Sequence, residues 1–67
     1  MVTEKEALEI VRKLRNVSRD GRYTHDCLSL AVGISMALDR GDQETLEWKV
    51  EMAEKTLIAI AKRNFAV

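Results

Sequence analysis

Four adjacent residues, Thr24-His25-Asp26-Cys27, bring together the side chains that nucleophilic catalysis commonly uses. A cysteine becomes a nucleophile when an imidazole within hydrogen-bond reach takes its proton and a third group holds the imidazole in place. The spacing here does not suit that task. His25 and Cys27 are two residues apart, and positions i and i+2 on a helix point to different sides. Cys27 continues an apolar surface and is expected to be a small core residue. His25 falls in a first helical turn and is expected to be exposed. No catalytic residue is assigned, and the chain is not expected to be an enzyme.

Metal chemistry fares no better. The single cysteine and single histidine cannot supply the four ligands of a closed structural zinc site within one chain. Glu44, Glu47, Glu51 and Glu54 could suggest a di-metal centre in a helical bundle. Such centres need Glu-x-x-His on inward-facing positions, and that motif is missing. These glutamates are expected to form a solvated face, paired with Lys55 or with another copy. No metal and no cofactor is expected.

Charge offers a third kind of chemistry. The chain has 11 basic and 11 acidic residues and a net charge of zero, so global charge selects no partner and the distribution must be read. Arg12, Lys13, Arg15, Arg19 and Arg22 cluster near the end of a first helix, and Lys62 and Arg63 near the end of a third. Glu4, Glu6, Glu9, Asp39, Asp42, Glu44 and Glu47 gather at the opposite end. Acids at helix starts and bases at helix ends complement helix dipoles. Arg19 and Arg22, however, lie in or beside the loop that follows the first helix. With Tyr23, Thr24, His25, Lys62 and Arg63 they are expected to surround the N-terminus of the second helix. Free N–H groups there, with guanidinium forks and a tyrosine ring, would suit a nucleotide or a nucleic-acid backbone.

The elements that must position these residues are helical. There is no proline, and two of the three glycines, Gly21 and Gly41, sit where helices should stop. The expected fold is all-α: three antiparallel helices over about 3–18, 24–40 and 43–65, in a single domain spanning 1–67. Thr3 and Glu6 form a capping-box pattern at the first start. Ala7, Ile10, Val11, Leu14 and Val17 then recur on one face. Thr24 is expected to cap the second helix and Asp42 the third. Leu46, Val50, Ala53, Leu57 and Ile60 alternate four and three apart, a coiled-coil-like seam. At 1.5 Å per residue the third helix should be roughly 34 Å long against about 25 Å for the second. Its last turns, with Ile58, Ile60, Ala61 and Phe65, are expected to project beyond the others.

The stretch CLSLAVGISMAL, residues 27–38, carries the strongest message. As a helix it has little wet face, and two neighbours rarely cover a third helix completely. A domain of 67 residues is marginal alone. With one cysteine it can form no internal disulfide, so oligomerisation is the expected remedy. A dimer is the first expectation, since two-fold closure is commonest. Ser29, Gly33 and Ala37, four apart, form a strip of small residues where another helix could approach, and a bulky residue at Gly33 is expected to be damaging. Trp48 and Met52, with Ala59 further along and Phe65 near the end, are expected to meet a partner. Indole rings anchor interfaces, and methionine adapts to them.

No transmembrane helix is expected, because the longest apolar run is well short of the ~20 residues such a helix requires. The charged run MVTEKEALE is not a secretory leader, and a cytoplasmic location is expected. The favoured reading is a small protein-interaction module acting as regulator, inhibitor or scaffold. The alternative is a binder of an anionic ligand at the basic end.

Overall fold

The computed structural model describes residues 2–19, 21 and 23–65, with side chains as far as residue 63. It consists of α1 (Glu4–Ser18), α2 (Thr24–Arg40) and α3 (Gln43–Phe65), each helix packed against the other two. Among the described residues there is no strand, and no helix is long and apolar enough to cross a membrane.

Local chemistry explains each boundary. Thr3 caps α1: its Oγ1 accepts the Glu6 N–H at 3.2 Å, satisfying one of the free donors at the helix start. At the far end of α1 the Gly21 N–H donates to the Ser18 carbonyl, and Gly21 takes a φ of 77° that favours glycine. Gly41 ends α2 at a φ of 67°, with its N–H on Leu38 O and the Asp42 N–H on Ala37 O. This 6→1 bond pattern closes the last carbonyls of the helix. Asp42 then caps α3 doubly, accepting the Thr45 N–H at 3.2 Å and the Thr45 hydroxyl at 2.7 Å.

One expected cap is replaced by another interaction. Thr24 does not cap α2; Tyr23 occupies the capping position and makes no side-chain bond there. The Thr24 hydroxyl instead donates to the Ser18 carbonyl at 2.6 Å, tying the start of α2 to the end of α1. A helix-terminal carbonyl left without an intrahelical partner attracts the hydroxyl as readily as a helix-start N–H does.

The core is built by three stripes. Ala7, Ile10, Val11 and Leu14 come from α1, Cys27, Ala31, Ile34 and Ala37 from α2, and Leu46, Val50, Ala53 and Ile60 from α3. Val17, Tyr23, Leu30, Leu38 and Leu57 pack around them, half-buried. The stripes of α1 and α3 are those the periodicity predicts. At the other end, the Gln43 amide reaches the Val2 carbonyl and the Glu47 carboxylate, both at 2.9 Å, joining the starts of α1 and α3.

The expected overhang of α3 is not seen within the described side chains. Ile60 is buried in the core, and Ala61 lines one groove with Val17. At that end Tyr23 shares a concavity with Ile60 and Arg63. Ile58 is exposed on the flank beside α1, and the Phe65 side chain lies outside the described residues.

Candidate functional site

A helix contacting two neighbours buries about half its circumference. In α2 the buried half is the stripe through Cys27, Ala31 and Ile34. The other half should be polar, and it is not. Leu28, Val32 and Met36, each one turn from the next, are 40%, 57% and 46% exposed. Ser29 is also exposed on this side, while Ser35 is half-buried. From Leu28 to Met36 the outer face carries no charge; charged or titratable residues return with His25 and Asp39 at its two ends.

Across a shallow furrow lies α3 with a second exposed pair. Trp48 is 56% exposed and Met52 40%. Met36, Gly33 and Lys49 line the furrow together, and the Lys49 ammonium lies 5.0 Å from the centroid of the Trp48 ring. That is a cation–π distance, and it makes the Lys49 side chain the bridge between the two apolar patches. Leu28, Ser29 and Val32 continue the surface along α2 towards Thr24 and His25. Soluble monomers seldom leave so many large apolar groups together in water.

The strip of small residues does not form one outer face. Ser29 is exposed, Gly33 half-buried and Ala37 buried in the core. Four residues advance a helix by slightly more than one turn, so the strip rotates from solvent into the junction with α3. Gly33 faces a side chain first: the three atoms nearest a Cβ placed there all belong to Lys49, at 3.4–3.5 Å. Ala59 is exposed and lines the concavity that holds Tyr23, Asp26, Thr56 and Arg63.

The residues of the expected anion surface are dispersed around one end. Arg19 lines a groove with Arg12 and Arg15 on the outside of α1. Thr24 and His25 line another with Leu28 and Val32. Tyr23 and Arg63 meet in a third, which Asp26 also lines. Lys62 is exposed, and Arg22 lies outside the described residues. Tyr23 leans on the core, and the Thr24 hydroxyl is engaged with Ser18. Among the described residues no single concavity collects the set.

Cys27 is fully buried, and burial, then the nearby Asp26 charge, raises its thiol pKa above the ordinary value. It is therefore held as the thiol, which is the unreactive form. His25 is exposed. Among the described residues no group of three or more His, Cys, Asp or Glu is placed to hold a metal ion. Of the α3 glutamates, Glu51 pairs with Lys55 at 3.3 Å on an exposed face, and Glu47 accepts from Gln43.

The sequence reading missed Leu28, Val32 and Met36 as a set. Subtracting the core positions 27, 31, 34 and 37 from α2 would have isolated them. It also missed an open, largely apolar groove of about 480 Å³ between α1 and α3, lined by Ile10, Val17, Leu57 and Ile58 and flanked by Lys13 and Glu54.

No known family model matches this chain, and neither a curated protein nor a solved structure matches it.

Proposed function

We propose that this chain acts in the cytoplasm as a small protein-interaction module, a regulator, inhibitor or scaffold built from three antiparallel helices. One observation carries the reading: Leu28, Val32, Met36, Trp48 and Met52 are each two-fifths or more exposed, on two adjoining helices of a chain that already has a core. Large apolar groups in water are the material of interfaces. The chemistry also favours binding over catalysis. The only thiol is buried, and the described carboxylates are exposed or, for Glu47, half-buried.

The surface divides into two parts with different suitability. The α2 stripe is straight and uncharged over two turns, which suits another helix. Trp48 and Met52 form a compact anchor beside Lys49, which suits a pocket on a target protein. Affinity capture with the wild type and with Trp48→Ala/Met52→Ala tests the reading. A protein retained in stoichiometric amount by the first and lost by the second supports it. Equal retention by both, or by neither, removes Trp48 and Met52 from the interface.

A second reading, an anionic ligand at the basic end, draws on Tyr23 and Arg63 facing one concavity. Asp26 lines the same concavity and would repel an anion, so this reading ranks below the first.

A further inference from the structure

The exposed face of α2 has a symmetry of its own. Val32 is its midpoint. Four residues before it stands Leu28 and four after it Met36; three before stands Ser29 and three after Ser35; seven before stands His25 and seven after Asp39. Each pair sums to the same register, so rotation by half a turn about an axis through Val32 lays the face on itself. Large apolar meets large apolar, hydroxyl meets hydroxyl, and a nitrogen donor meets a carboxylate.

We infer that a second copy of this chain docks on that face, α2 against α2, antiparallel, about a two-fold axis at Val32. This rests on the interaction-module reading and names its first partner. A two-fold interface must be complementary to itself, residue i meeting j while j meets i. The pairing does this twice over at its ends, with His25 beside the partner's Asp39 on both sides of the axis. A parallel pairing would instead place Asp39 against the partner's Asp39.

The charges of the rest of the molecule agree. Arg15 and Arg19 lie towards the end of the molecule that holds His25, while Glu4 and Asp42 lie towards the end that holds Asp39. Antiparallel docking lays each chain's basic end over the partner's acidic end, which steers the encounter as well as setting its direction. The occupant also answers the size problem, since a bundle of this length gains a larger shared core. Trp48 and Met52 lie on α3, to the side of this axis, and remain for a different protein.

The test combines mass and disulfide trapping on the full chain. Sedimentation equilibrium of the wild type should give twice the chain mass at tens of micromolar. Val32→Glu changes an exposed position, so circular dichroism should be unchanged. Two carboxylates meeting at the axis should raise the dimer dissociation constant by roughly a hundredfold or more. An equimolar mixture of Leu28→Cys and Met36→Cys chains, gently oxidised, should give mainly the mixed disulfide. Like pairs in its place would overturn the antiparallel arrangement. A dimer that survives Val32→Glu and gives neither disulfide would overturn docking at α2 but leave an oligomeric module with another interface. A wild type that stays monomeric at several hundred micromolar would overturn the dimer, and target capture through Trp48 would then decide the module reading alone.

Discussion

The Lys49 ammonium sits 5.0 Å from the centre of the Trp48 ring. On its way there the same side chain passes over Gly33 of α2, where an added Cβ would lie 3.4 Å from its Cδ and Cε. The sequence suggests that Gly33 permits a close helix approach. The structure shows it covered by a flexible lysine stem, which can move aside. Gly33→Ala should therefore raise stability by up to about 1 kcal/mol, the difference in helix propensity. Thermal melts of the two proteins at equal concentration check this, and a lower melting temperature for the alanine variant would show that Lys49 cannot yield.

Leu8 and Leu14 lie on the same helix and differ only in what surrounds them. Leu14 is fully buried, and Leu8 is 52% exposed. Leu14→Ala should cost about 2–5 kcal/mol, comparable to the whole stability of a domain this small. Leu8→Ala should stay within about 0.5 kcal/mol. Urea denaturation of both variants measures the contrast.

Asp42 links stability to pH. The Thr45 hydroxyl, then the Thr45 N–H, hold its carboxyl below the ordinary value of 3.8. A carboxyl whose pKa is lower in the folded state stabilises the fold above its unfolded pKa. That contribution is lost as pH falls through the folded one. Asp42→Ala should lower the melting temperature at pH 7, and the gap to wild type should narrow below pH 3.8. Asp42→Asn keeps an acceptor for the cap and should recover part of the loss at neutral pH while flattening the acid limb.

Trp48 is the only tryptophan, so its fluorescence reports on one place. Trp48→Ala should leave helicity unchanged, because the residue is 56% exposed. In the isolated chain the emission should be that of a largely wet indole, shifting to the blue when a target covers it. Burial of the ring should contribute on the order of 2 kcal/mol to target binding. Emission that stays at the wet position in a purified complex would place the partner elsewhere.

The basic end can be titrated directly. With Arg19, Thr24 and Arg63 in separate concavities, inorganic phosphate and mononucleotides should bind no more tightly than several millimolar at moderate ionic strength. Calorimetry on wild type and Arg19→Ala/Arg22→Ala checks this. Tighter binding, weakened in the double variant, would promote the anion reading over the interaction module.

Sequence alone determined the elements. Caps, glycine stops and apolar spacing are local: Thr3, Gly41 and Asp42 act on backbone groups within a few residues, and the stripes of α1 and α3 follow from the helical period. It also determined that α2 has too much apolar surface for a three-helix chain. Only tertiary structure decided how that surface is shared. Whether Ala37 or Met36 faces inward depends on the direction from which α1 and α3 approach, and spacing along α2 does not contain that direction. The same holds for the basic residues. Their nearness in sequence places them at one end, but Arg19, Thr24 and Arg63 line separate concavities there. A cluster in the chain becomes a cluster in space only when packing aims the side chains together.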